Sequence, residues 1–169
     1  PDVTVSYRVT LDGTAYPDSA DTVELRTADA QTLERLPFLT QLRTVTAGGS
    51  DQPQDFSELS RYCQEKGLTF RLRMGDNLVD QDVQELTAEA VTDADLALLG
   101  NLPALKTLHM VNPEASAETL GGLSDAYPNV DISWETSIGG LTFQNTDTEI
   151  DLSQVEITDL SEVEARMEY

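Results

Sequence analysis

The sequence predicts an α/β solenoid of about two and a half repeats, each of ~65 residues. Three observations predict it. Segments opening at Val3 (VTVSYRV), Leu68 (LTFRLRM) and Val130 (VDISWET) share an alternating apolar pattern. Glycine turn dipeptides, Asp12-Gly13 and Gly139-Gly140, follow the first and third of these at matching places. The leucine-spaced segment LPFLTQLRTV (36–45) returns as LPALKTLHMV (102–111). One unit cannot bury both faces of such leucine-rich segments, so neighbouring units have to stack. The repeats run 3–67, 68–129 and 130–169 within a single domain spanning 1–169. The third stops before its leucine-spaced segment, so the chain reads as a fragment of a longer protein.

Each unit reads strand, hairpin, short strand, helix, leucine-spaced strand, helix. The opening strands alternate with period two, as Val3, Val5, Tyr7, Val9, then Leu68, Phe70, Leu72, Met74, then Val130, Ile132, Trp134; this places one face of each in the core. Trp134 belongs to that buried face. The glycine dipeptides favour tight hairpin turns because both central residues need positive φ. The second copy has GDNLVDQD in that place and reads as a polar turn. Short strands follow at TVEL (22–25), VQEL (83–86) and EIDL (149–152). Thr92 and Thr158 are expected helix N-caps, with acidic residues in the first turn. The leucine-spaced segments pair Leu36 with Leu102, and Arg43 with His109. In the closing helices Phe56, Leu59, Tyr62 and Cys63 recur at helical spacing, and Gly67 can cap the end. Asn112-Pro113 is expected to open the second such helix, and Pro128 to stop it.

LPALKTLHMVN resembles the L-x-x-L-x-L-x-x-N core of leucine-rich repeats, with Asn112 one residue short of the usual asparagine. The stretch YPNVDISWETSIGGLTF…TEIDLSQVEITD is similar to the repeats of leucine-rich-repeat-like proteins on the cell envelope of gut anaerobic bacteria. The resemblance covers nearly the whole chain. It implies a parallel sheet lining one side of the solenoid. It also implies an extracytoplasmic address, in the cell envelope or secreted, with a membrane-anchored parent. The family it points to carries no assigned activity. In a trimmed solenoid Leu160 and Val163 are the apolar residues left exposed.

Charge excludes several partners. The chain has 10 basic and 31 acidic residues in 169, a formal net charge of −21 and a pI near 4.1. Nucleic acid requires a clustered basic footprint, and an anionic membrane repels such a chain. Contact with a membrane is expected only through an anchor outside this segment. Cys63 is the sole cysteine, so no internal disulfide and no cysteine-paired zinc site can form. No phosphate loop, dinucleotide fingerprint or serine-hydrolase elbow occurs. No catalytic residue, metal or cofactor is assigned.

The basic residues cluster by position. Arg8, Arg26, Arg43, Arg71 and Arg73, five of the ten, fall with His109 on strand positions opposite the core-facing ones. The candidate ligand-binding set is Arg8, Arg43, Arg71, Arg73, His109 and Glu135. The competing account is cross-strand pairing of these cations with Glu24, Asp131, Glu135 and Asp151. The expected function is a non-catalytic binding or adhesion module that presents its strand-lined face to a protein or glycan. The alternatives are an enzyme with a carboxylate site assembled across repeats, and a purely structural spacer.

Overall fold

A computed structural model describes residues 6–138 and 140–149, together with 151 and 153. The chain opens on a hairpin. In β1 (Arg8–Leu11) Val9 and Leu11 are buried between exposed Arg8 and Thr10, as period-two alternation requires. Asp12 (φ 45°) and Gly13 (φ 77°) make the two-residue turn into β2 (Thr14–Pro17). Then come β3 (Thr22–Leu25), α1 (Ala30–Arg35), β4 (Thr44–Gly48), α2 (Ser57–Lys66), β5 (Thr69–Met74) and β6 (Asn77–Asp80). A second series follows: β7 (Glu85–Glu89), α3 (Asp93–Leu96), β8 (Thr107–Val111), α4 (Ala117–Ala126), β9 (Asp131–Ile138) and β10 (Leu141–Gln144).

The architecture is mixed α/β, with three small sheets and four helices among the described residues. Strands β1 and β2 form a hairpin of their own. Sheet 1 has the order β3-β4-β5-β6 and sheet 2 the order β10-β9-β8-β7. In each, three strands run parallel and the last turns back antiparallel.

This corrects the expected leucine-rich-repeat-like solenoid of about two and a half repeats. That arrangement needs strands of successive units to share one sheet. Here β6 folds back through the Gly75-Asp76 turn and takes the outer edge of β5. With that edge filled, β7 cannot extend the ladder, and it starts a new sheet. The turn also corrects the reading of GDNLVDQD as a polar loop, since Asn77–Asp80 is a strand. The predicted third-copy features at Thr158, Leu160 and Val163 lie outside the described residues.

The two series share a backbone plan. The N–H groups of Arg43 and Thr44 both bond the carbonyl of Asp21; those of Lys106 and Thr107 both bond that of Gln84. Leu39 and Leu42 bond back to Leu36 and Leu39, as Leu102 and Leu105 do to Leu99 and Leu102. The N-caps match as well: Asp29 accepts from Thr32 N–H and Thr92 from Asp95 N–H. Leu36 therefore corresponds to Leu99, and Arg43 to Lys106. The leucine-based pairing of Leu36 with Leu102 is displaced by one three-residue step. Leucines spaced by three match equally well after such a slip, and the prolines at 37 and 103 favoured the wrong register.

Capping chemistry sets the helix ends. Thr92 and Asp95 form a reciprocal capping box on α3. Gly67 (φ 66°) ends α2 in the left-handed conformation, where its N–H bonds the carbonyls of Cys63 and Gln64. The closing helix of the second series starts at Ala117 with Ser116 as N-cap, not at Asn112-Pro113. Asn112 instead adopts φ 47° and accepts from Ser137 N–H through its side chain. Inward residues of both sheets and the helices form one contiguous buried cluster, which includes Phe56, Leu72, Met74, Leu108, Met110 and Trp134.

Candidate functional site

The outward rows of sheet 1 follow from the register. Glu24, Thr46, Arg71 and Asp80 stand side by side on β3, β4, β5 and β6; Gly48, Arg73 and Leu78 form the next row. Arg71 Nε lies 2.7 Å from Asp80 Oδ1, and Arg73 Nη2 lies 3.0 Å from Glu24 Oε1. Both pairs are partly solvated, so each contributes at most about 1 kcal/mol. Their effect is to hold two guanidinium groups in fixed places on the face.

The β1–β2 hairpin leans against the free edge of β3 and gives this face its relief. Tyr16 Oη donates to the carbonyl of Glu24 at 2.9 Å and accepts from its N–H at 3.1 Å. Asp12 accepts from Arg26 N–H at 2.7 Å and from Thr27 Oγ1 at 2.9 Å. Side chains thus take the part that a neighbouring strand would play. Between hairpin and sheet lies a groove of about 550 Å³, lined among others by Asp12, Tyr16, Glu24, Arg26, Thr46 and Arg73. It sits at the carboxyl ends of β3 and β4, where open α/β sheets bind ligands.

Two glycines leave the floor open. At Gly48 (φ 123°) an added Cβ would stand 2.4 Å from the carbonyl oxygen of Arg73, closer than any real Cβ contact. At Gly49 (φ 70°) it would press on the Arg73 side chain at 3.3 Å. Arg26 lines the groove, and among the described residues no hydrogen bond or ion pair engages its guanidinium.

The predicted binding set does not converge. Arg73 lies in the groove and Arg71 beside it on the same face. Arg8 lies on the hairpin, where its Nη2 donates to the Ala15 carbonyl at 2.6 Å. Arg43 precedes β4 and is exposed, so it is not a strand-face residue. His109 and Glu135 belong to sheet 2, away from the arginines in the strand order. Arg73 and Glu135 are therefore not neighbours.

Sheet 2 has a different face. Its rows read Glu85, Thr107, Asp131, then Thr87, His109, Ser133, then Glu89, Val111, Glu135, Gln144. That face is acidic, so the arginine-bearing character belongs to sheet 1 alone. His109 Nδ1 lies 3.0 Å from Ser133 Oγ, and Glu135 Oε2 lies 3.9 Å from His109 Nε2. A serine, a histidine and a carboxylate thus meet in one place. At 3.9 Å the carboxylate makes no hydrogen bond, and Glu135 instead accepts from Gln144 Nε2 at 2.8 Å. It cannot fix the imidazole tautomer as a catalytic triad needs.

Cys63 is fully buried, and burial pushes its thiol up to about 12. It is therefore no nucleophile at neutral pH. Sequence patterning missed Asp12, Tyr16 and the Gly48-Gly49 pair. The glycine pair was the available signal, but only the β4–β5 register shows what it accommodates.

Comparison with protein-family models, curated proteins and solved structures returns no match to this chain.

Proposed function

We propose that this chain is a non-catalytic binding module that presents the outward face of sheet 1 to a protein or glycan ligand. The observation that carries it is the groove of about 550 Å³, with Arg73 fixed on Glu24 and the Arg26 guanidinium without a partner among the described residues. That volume falls in the range of small-ligand pockets, roughly 300–1,000 Å³. In a chain of net charge −21 it is also a place where cations match the acids locally. Such a patch accepts a partner that the rest of the surface repels.

The test is a screen of the 169-residue chain on glycan and peptide arrays beside two variants. Arg26→Glu with Arg71→Glu inverts the face of sheet 1. His109→Ala with Glu135→Gln alters the face of sheet 2. The expected result is a ligand lost by the first variant and kept by the second, both folded by circular dichroism. Loss through the sheet 2 variant alone, or no ligand at all, overturns the reading; the latter favours a spacer.

A further inference from the structure

The two series place different chemistry at corresponding positions. By strand register Gly48 pairs with Arg73 and Val111 with Glu135, so Glu135 stands where Arg73 does. Glu89 likewise stands where Arg26 does, just beyond the row of Leu25 or Ala88. Asn112 (φ 47°) follows β8 as Gly49 (φ 70°) follows β4. The Asn112 side chain reaches across to Ser137 N–H at 2.8 Å, and Gly49 has no side chain to do the same. The open, arginine-bearing groove is thus not imposed by the backbone plan. It depends on Arg26, Gly48, Gly49 and Arg73, which the second series replaces with Glu89, Val111, Asn112 and Glu135.

We propose that this groove binds a sugar ring carrying one carboxylate, a hexuronate, with Arg26 holding the carboxylate; this rests on the binding-module reading above. With two guanidinium groups and two carboxylates in the lining, it is the partners these groups already have that select a single anionic group. Arg73 is already matched by Glu24, and Asp12 is held by the Arg26 backbone N–H and Thr27, so among the described residues the Arg26 guanidinium is the one in the groove that no partner engages. A polyanion would meet the field of a −21 chain outside the groove and be repelled. The remaining lining suits hydroxyl groups. Glu24 offers its second carboxylate oxygen as an acceptor, and Thr14 and Thr46 also line the groove. The Tyr16 ring, fixed by the bonds of its hydroxyl to Glu24, adds a flat apolar surface for a ring to rest on. A peptide terminus would need apolar side-chain pockets, and this lining is mainly polar.

Amide chemical-shift titration of the full chain with glucuronate, galacturonate and neutral glucose tests the proposal. A ligand of this size is expected to bind with a Kd of about 1 mM. Shifts should centre on Gly48 and Gly49, and glucose should bind about tenfold more weakly or worse. Arg26→Gln should weaken uronate binding about tenfold and leave glucose unchanged. Gly49→Asn, which copies the second series, should block both; asparagine tolerates the positive φ there. Uronate no tighter than glucose, shifts centred elsewhere, or an unaffected Arg26→Gln overturns the assignment. So does stronger competition by an acidic peptide. If array ligands bind through sheet 1 while uronates do not, only the sugar assignment falls. If nothing binds, the module reading falls with it.

Discussion

The Tyr16 hydroxyl completes the edge of β3 at Glu24, giving one hydrogen bond to its carbonyl and taking one from its N–H. A single side-chain atom thus satisfies both backbone groups that an adjacent strand would pair. An unpaired strand edge invites association with another chain, and the hairpin covers it. Tyr16→Phe keeps the ring and removes both bonds. The site is solvated enough for water to replace part of the loss, so the expected cost is about 1 kcal/mol. Urea denaturation should show a lower midpoint with an unchanged slope. A midpoint equal to wild type would mean that the hairpin docks by apolar contact alone.

Gly48→Ala should be far more costly. The added methyl would overlap the Arg73 carbonyl, which is backbone and cannot rotate away, at a φ that alanine rarely adopts. Overpacking and backbone strain each cost on the order of 1–3 kcal/mol. Gly49→Ala meets only the flexible Arg73 side chain, so its cost should be mainly that of positive φ. Thermal denaturation of the two variants gives the order. Equal midpoints would show that β4 and β5 separate there at little cost.

Much of the strand and helix content was legible because it rests on local chemistry. Alternation in RVTL and TFRLRM, the Asp12-Gly13 turn, the Thr92 cap and the Gly67 stop all depend on residues close in sequence. The sheet partition was not legible. It depends on which edge of β5 is filled, and the Gly75-Asp76 turn that lets β6 fill it lies within the polar run GDNLVDQD. The groove was hidden for a related reason. Its floor is defined by the contact of Gly48 with Arg73, and its wall by Tyr16 meeting Glu24, pairings set by register and docking rather than by spacing. The arginines were legible as an outward set, but their division between sheet 1, the hairpin and the β4 approach was not.

Cys63 predicts a pH dependence with a definite sign. Burial raises its thiol from 9.0 to about 12, and Tyr62 beside it is raised too, first by burial and then by Cys63. The unfolded chain loses the thiol proton near pH 9 while the folded chain keeps it. The unfolded state then binds fewer protons, so stability falls as pH rises from about 9 towards 12. Below pH 9 the contribution is intact. Cys63→Ala should flatten part of this alkaline slope, although the lost sulfur leaves a small cavity and lowers stability at every pH. Alkylation of the native protein at pH 8 should be slow and should accelerate with urea in step with unfolding. Rapid alkylation without denaturant would show that α2 opens locally.

Asp95 ties the second series to the first. One carboxylate oxygen accepts from the N–H and hydroxyl of Thr92 at 3.0 and 2.8 Å; the other accepts from Gly75 N–H at 3.1 Å. The same nearly buried side chain therefore caps α3 and holds the turn between β5 and β6. Asp95→Asn keeps one good acceptor and turns a donor towards one of these N–H groups. It should cost about 1–3 kcal/mol, because a buried donor is left unmatched. Thr92→Ala removes the cap alone, at about 1 kcal/mol. The two changes share a partner, so the double variant should lose less than the sum. Hydrogen exchange separates the two roles: Thr92→Ala should raise exchange in α3 only, whereas Asp95→Asn should raise it at Gly75 as well. Unchanged protection at Gly75 in Asp95→Asn would leave the carboxylate as a helix cap and nothing more.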